Sequence, residues 1–187
     1  MTVHSVPLKG WVRTKRGINA LELHIMSLRY DLDGALEAGQ HGLAWWAGQN
    51  VLTAAVELSL AEAGVELPAQ EDPVERACAA LDALRRTNPE LAGAAWELWL
   101  RPQPPDAGIR RGLDETLAFV EHRLGLPWVV SRQQAVLRWA AGTSVLRAVA
   151  KQLGMAASED WYVGASDTPD LDWYGEIVAT LEAENRR

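Results

Sequence analysis

Apolar residues return at helical spacing along most of this chain, and that recurrence constrains the fold more than any other feature. Leu21, Ile25, Leu28, Leu32 and Leu36 step by four, three, four and four, so a helix places them on one face. Gly39 closes this first helix. A second runs from about His41 to Ala63, with Leu43, Ala47, Val51, Ala54, Leu58 and Ala61 facing inward. Gly64 then suits the left-handed position after a helix end, which costs glycine little. Asp72-Pro73-Val74-Glu75 supplies an acid cap, proline at the first helical position and glutamate at the third, opening a third helix. Its inward side is Val74, Cys78, Leu81 and Leu84.

Asn88-Pro89-Glu90 opens a fourth helix in the same way, running to about Arg101. Pro102-Gln103-Pro104-Pro105-Asp106 cannot be helical and makes a stiff connector. Leu113, Leu117, Val120 and Leu124 mark a fifth helix, opened by Arg110-Arg111 and closed by Gly125. Ser131 and Gln134 form a capping box for a sixth, with Val136, Ala140, Leu146, Val149 and Leu153 on its core side and Gly154 at its end. A final helix begins near Pro169 and carries Leu171, Tyr174, Ile177, Val178 and Leu181. No strand alternation of useful length occurs. The expected fold is all-α, a bundle of about seven helices in two packed layers.

The expected organisation is a basic N-terminal arm, residues 1–20, before a single helical domain, residues 21–187. Met1 to Gly17 carries Lys9, Arg13, Lys15 and Arg16 around Trp11, with no acid and no helical period. The whole chain is nevertheless at −7. An arm of this kind either folds over an acidic body or reaches for an anion. The acidic balance speaks against nucleic acid as a partner. One cysteine among 187 residues excludes an internal disulfide and a four-cysteine zinc site. The first residues lack the apolar stretch of a secretory signal, and no run reaches the length of a membrane span. A cytoplasmic, soluble protein is expected.

Arg29 to Gly39, followed by Ala44-Trp45-Trp46-Ala47 through Leu60 to Ala63-Gly64, resembles the paired long opening helices of HEPN-type helical domains. These include the C-terminal-type helical domain of kanamycin nucleotidyltransferase-like proteins. The resemblance covers about residues 21–125. It implies a helical scaffold that binds a ligand or a partner beside a separate catalytic chain. The nuclease members of that family carry Arg followed by His after four to six residues, and no Arg here has such a His. The nucleotidyltransferase pattern, Gly-Ser and then Ser-Asp-x-Asp, is also missing; Ser166-Asp167 occurs, with Asp170 and Asp172 out of place.

Few side chains suggest chemistry. Asp167, Asp170 and Asp172 could hold a hard cation, but acids also gather at helix starts for electrostatic reasons, and no metal site is expected. His4, His24, His41 and His122 show no zinc-ligand spacing. No cofactor motif, such as a glycine-rich phosphate loop, is present. Cys78, among Val74, Ala77 and Leu81, reads as a small core residue. Trp46, one turn before Asn50 on the second helix, and Arg138-Trp139 on the sixth would make a site for an anionic or planar ligand, since guanidinium forks match oxyanions. The plainer alternative is a tryptophan-rich core. Arg101, Arg110 and Arg111, with the arm's Lys9, Trp11, Arg13, Lys15 and Arg16, form a second anion or partner patch. Trp96 and Trp99 belong at an interface or a pocket rim.

Three functions fit these residues. The first is an accessory helical protein binding a partner chain or an anionic small molecule beside a separate catalytic subunit. The second is an enzyme of small-molecule, specialised metabolism with its pocket between the second and sixth helices. The third is a toxin–antitoxin-type component lacking nuclease residues.

Overall fold

The computed structural model describes residues 5–67, 70 and 72–152, with side chains over 15, 17–67, 70 and 72–146. Six α-helices follow in order: α1 Ser5–Glu37, α2 His41–Glu62, α3 Pro73–Thr87, α4 Pro89–Trp99, α5 Asp106–His122 and α6 Arg132–Gln152. A 3-10 turn, Pro127–Val130, precedes α6. There is no strand among the described residues. The expected helix near Pro169 lies outside them.

Helix ends follow local chemistry. Asp72 accepts hydrogen bonds from the Val74 and Glu75 amides at 2.8 and 3.0 Å, and Pro73 occupies the first helical position of α3. Asn88 accepts from the Leu91 amide at 3.1 Å to start α4. Ser131 Oγ accepts from the Gln134 amide at 3.2 Å to start α6. Gly39, Gly64 and Gly125 all take positive φ, between 67° and 76°, where a side chain would strain the backbone. After Gly39, the Gln40 amide returns to the Ala35 carbonyl at 2.8 Å, closing a six-to-one cap. The Val65 amide does the same to Leu60 after Gly64.

The N-terminal segment differs from expectation. Residues 5–20 are not an irregular arm but the first half of a 33-residue helix. Pro7 falls in the first turn, where its missing N–H has no acceptor to lose. Gly10 and Gly17 each cost about 1 kcal/mol relative to alanine in a helix interior, too little to break it. The fifth helix also begins earlier than expected, at Asp106, so Arg110 and Arg111 stand in its second turn.

The described residues divide into two compact units: 21–135, and those before 21 with those after 135. In the larger unit α2 is central, packing against α3, α4 and α5, while α3 also packs on α4 and α5 on the 3-10 turn. Val51 to Val56 are six consecutive buried residues, so α2 is covered on all sides over that stretch. Where α2 begins, Ala44, Trp45 and Ala47 pack with Leu32 and Ala35 of α1 and Ile109 and Leu113 of α5. Glycines allow the α2–α5 approach. A Cβ at Gly48 would lie 2.3 Å from Leu113 Cδ2, and one at Gly112 would lie 2.8 Å from Trp45 Cζ3.

Two expected core positions are surface ones. Leu43 and Val74, each in the first turn of its helix, are exposed; at the start of α2 it is Ala44 and Trp45 that face the neighbouring helices. Ala77, Ala80 and Ala83 join Leu81 and Leu84 as the buried face of α3, and Cys78 is half-buried beside them. The smaller unit is joined by a polar clasp. Asn19 Nδ2 donates to the Trp139 carbonyl at 3.2 Å, and Thr143 Oγ1 donates to Asn19 Oδ1 at 2.9 Å. Around it Ile18, Val136, Trp139, Ala140 and Leu146 are buried.

Glycine without a packing role should behave differently from Gly48 and Gly112. A Cβ at Gly93, in the middle of α4, meets nothing within 4 Å. Gly93→Ala is therefore expected to stabilise the fold by about 0.5–1 kcal/mol, through helix propensity and a less flexible unfolded chain. A lowered urea midpoint for this variant would contradict the open surroundings.

Candidate functional site

A buried arginine on α1 is the most unusual polar group in the larger unit. Arg29 follows Ile25 by four residues and precedes Leu32 by three, so the helix carries it into the apolar row. Its side chain is 5% exposed. Nη2 donates to Asp33 Oδ1 at 2.9 Å and to the Val130 carbonyl at 3.2 Å. Nε and Nη1 are buried with no hydrogen-bond partner. Burial lowers the Arg29 pKa, Asp33 opposes that, and the neighbouring Arg132 charge adds to the lowering. Arg132, the first residue of α6, lays its guanidinium 5.1 Å from the centroid of the Tyr30 ring. Arg29 thus pairs with Asp33 while the Arg132 charge acts on it, where the 3-10 turn passes into α6.

A second charged group lies at α1, α2 and α3. His24 is held below its ordinary 6.5, chiefly by partial burial, then by the Arg76 charge, with Asp31 opposing. Glu57 is held above its ordinary 4.5 by burial, with Arg76 opposing. For His24 the unfolded chain takes up the proton more readily. Its contribution to stability is complete above about pH 6.5 and is lost as pH falls through the folded value. For Glu57 the contribution is present below 4.5 and lost as pH rises through the folded value. Between pH 7 and pH 5 the two groups act in opposite directions. His24→Gln should therefore shift the change in urea midpoint over that interval toward stabilisation at the lower pH, while Glu57→Gln raises the midpoint at pH 7. An unchanged slope in His24→Gln would remove His24 from this role.

Large apolar side chains are exposed near the start of α2 and at the end of α4. Leu43 and Trp46, three residues apart, are exposed, Trp46 by 54%. Leu100, capping α4, is 65% exposed. The two helices are tied there by Gln49, whose amide, turned to donate, reaches the Leu98 and Trp99 carbonyls at 3.3 and 3.2 Å. The proline connector passes the start of α2, with Gln103 Oε1 3.7 Å from where a Gly42 Cβ would stand. Trp96 and Trp99 pack edge to face, centroids 5.4 Å apart, each half-buried.

The residues singled out in the sequence are placed differently from one another. Asn50 is half-buried and donates to the Trp46 carbonyl of its own helix at 2.8 Å, a local bond that needs no cavity. Trp46 and Asn50 belong to the larger unit, Arg138 and Trp139 to the smaller. Arg138 is exposed and Trp139 is buried. Arg101 is committed to Glu115 of α5 rather than grouped with Arg110 and Arg111, which are exposed. Lys15 is half-buried on α1; the side chains of Lys9, Trp11, Arg13 and Arg16 lie outside the described residues, as do Asp167, Asp170 and Asp172. No group of three metal-ligating side chains occurs among the described residues, and no described helix is long and apolar enough to cross a membrane.

Of Arg29, Arg132, Leu43, Trp46 and Leu100 the sequence singles out Trp46 alone; Arg29 and Arg132 are not marked as site residues, and Leu43 is expected in the core. The Arg29 signal was present, a charge inside the i, i+4, i+7 row of Ile25 and Leu32, with Asp33 one turn on. Comparison with protein-family models, with curated proteins and with solved structures finds no match.

Proposed function

We propose that this chain is an accessory helical binding protein that engages a partner chain through the exposed face of α2 and the end of α4, beside a separate catalytic subunit. The observation that carries this reading is Trp46 and Leu43 standing exposed on a helix that is enclosed over Val51 to Val56, with Leu100 on the adjoining helix end. Large apolar side chains grouped on a surface are common at sites of protein association, and tryptophan contributes strongly to such contacts. The resemblance of residues 21–125 to HEPN-type helical domains belongs to the same reading.

The test begins with sedimentation of the pure protein, which reveals self-association directly. A photo-crosslinking residue at position 46 then reports, in the producing cell, which chain covers that face. Leu43→Lys and Trp46→Glu should abolish the complex while leaving the far-UV spectrum unchanged. A complex that forms equally well with both substitutions would show that association uses another surface.

A further inference from the structure

The passage from the 3-10 turn into α6 brings two arginines near one paired carboxylate. Arg29 and Arg132 both stand there, and Asp33 is the carboxylate paired with Arg29. The first turn of α6 contains no acidic residue. Its N-terminal end carries the positive pole of a 21-residue helix, about half an elementary charge. Ser131 Oγ is used by the Gln134 amide, and the Arg132 and Gln133 amides, like those of any helix start, lack acceptors within the helix.

Arg29 makes this more than a helix terminus. Its guanidinium touches the junction through Nη2 and the Val130 carbonyl, yet Nε and Nη1 of the same planar group are buried and unpaired. Buried N–H donors nearly always have acceptors, and a charged donor is the costliest to leave without one. Tyr30 holds Arg132 beside it by a cation–π contact. The buried Arg29 donors, the half-buried Arg132 and the start of α6 thus lie at one passage of the chain. An oxyanion supplies both the missing acceptors and the missing charge.

We propose that the junction of Arg29, Arg132 and the start of α6 binds a small oxyanion, specifically a phosphate group. With Asp33 already paired, two guanidiniums and the helix pole leave between one and two positive charges to be met, as a phosphate at neutral pH does. The burial of Arg29 restricts the ligand to a compact group reaching inward, free or at the end of a larger molecule. This site is separate from the α2–α4 face and stands whether or not that face binds a partner.

The test uses the full chain and inorganic phosphate, titrated calorimetrically and by thermal melting against sodium chloride at equal ionic strength. Phosphate should raise Tm beyond the chloride control. Arg132→Gln, at a half-buried position, should weaken phosphate binding at least tenfold, and Arg29→Lys should do the same where it folds. Arg86→Gln, exposed in the last turn of α3, should leave it unchanged. Phenyl phosphate distinguishes the sources: binding as tight as inorganic phosphate marks a phosphomonoester, and weaker binding marks the free ion. Absence of any phosphate effect beyond chloride overturns the proposal, and so does an effect that Arg132→Gln retains.

Discussion

Asp33→Ala is expected to destabilise the protein by about 3 kcal/mol, the largest effect anticipated for a single polar substitution here. Removing one member of a buried ion pair typically costs about 3–5 kcal/mol, because the other charge is left uncompensated. Asp33 is 26% exposed and Arg29 only 5%, so the carboxylate can be hydrated and the guanidinium cannot. That places the effect at the lower end of the range. Replacing both residues, as Arg29→Met with Asp33→Ala, should recover most of the loss by removing the buried cation together with its unpaired N–H groups. Urea unfolding of the two single variants and the double variant measures this. A double variant as unstable as Asp33→Ala would mean that Asp33 acts by something other than neutralising Arg29.

Gly112→Ala is expected to cost about 2 kcal/mol net. The added methyl would sit 2.8 and 3.2 Å from two atoms of the Trp45 ring, and that ring is rigid and buried. Overpacking of this kind costs about 1–3 kcal/mol, the upper part of the range applying where no flexible end can swing aside. Alanine returns about 1 kcal/mol by its helix propensity. Trp45→Leu should be destabilising alone yet less so in the Gly112→Ala background, giving a measurable coupling between the two positions. The contrast with Gly93→Ala is the informative part: one substitution in two α-helices, with opposite signs. A raised urea midpoint for Gly112→Ala would show that α5 can shift away from α2 at little cost.

Helix boundaries were readable in the chain because they depend on a few adjacent residues. Asp72-Pro73, Asn88-Pro89 and Ser131 open helices, and Gly39, Gly64 and Gly125 follow helix ends, as their spacing suggests. Orientation on α2 was not readable. A helix enclosed on all sides over Val51 to Val56 has no single apolar stripe, so a stripe extended outward from it wrongly turned Leu43 inward. The α1 N-terminus was hidden by Pro7, Gly10 and Gly17, which resemble loop punctuation until the helix is seen to continue. Arg29 was hidden by distance. Next to Asp33 it resembles an ordinary surface pair, and the hydrogen bond that locates it at the start of α6 comes from Val130, 101 residues away.

The enclosure of α2 bears on how the face it presents can work. Amides surrounded by α3, α4 and α5 have no route to solvent short of opening the larger unit, so hydrogen exchange along Val51 to Val56 should proceed only by global unfolding. Leu43 and Trp46 are therefore displayed from one end of the least yielding element in that unit. A surface held this way has little ordering entropy left to lose on association. Any chain that docked on it would meet a preformed shape, with adjustment confined to side-chain rotamers such as that of Trp46.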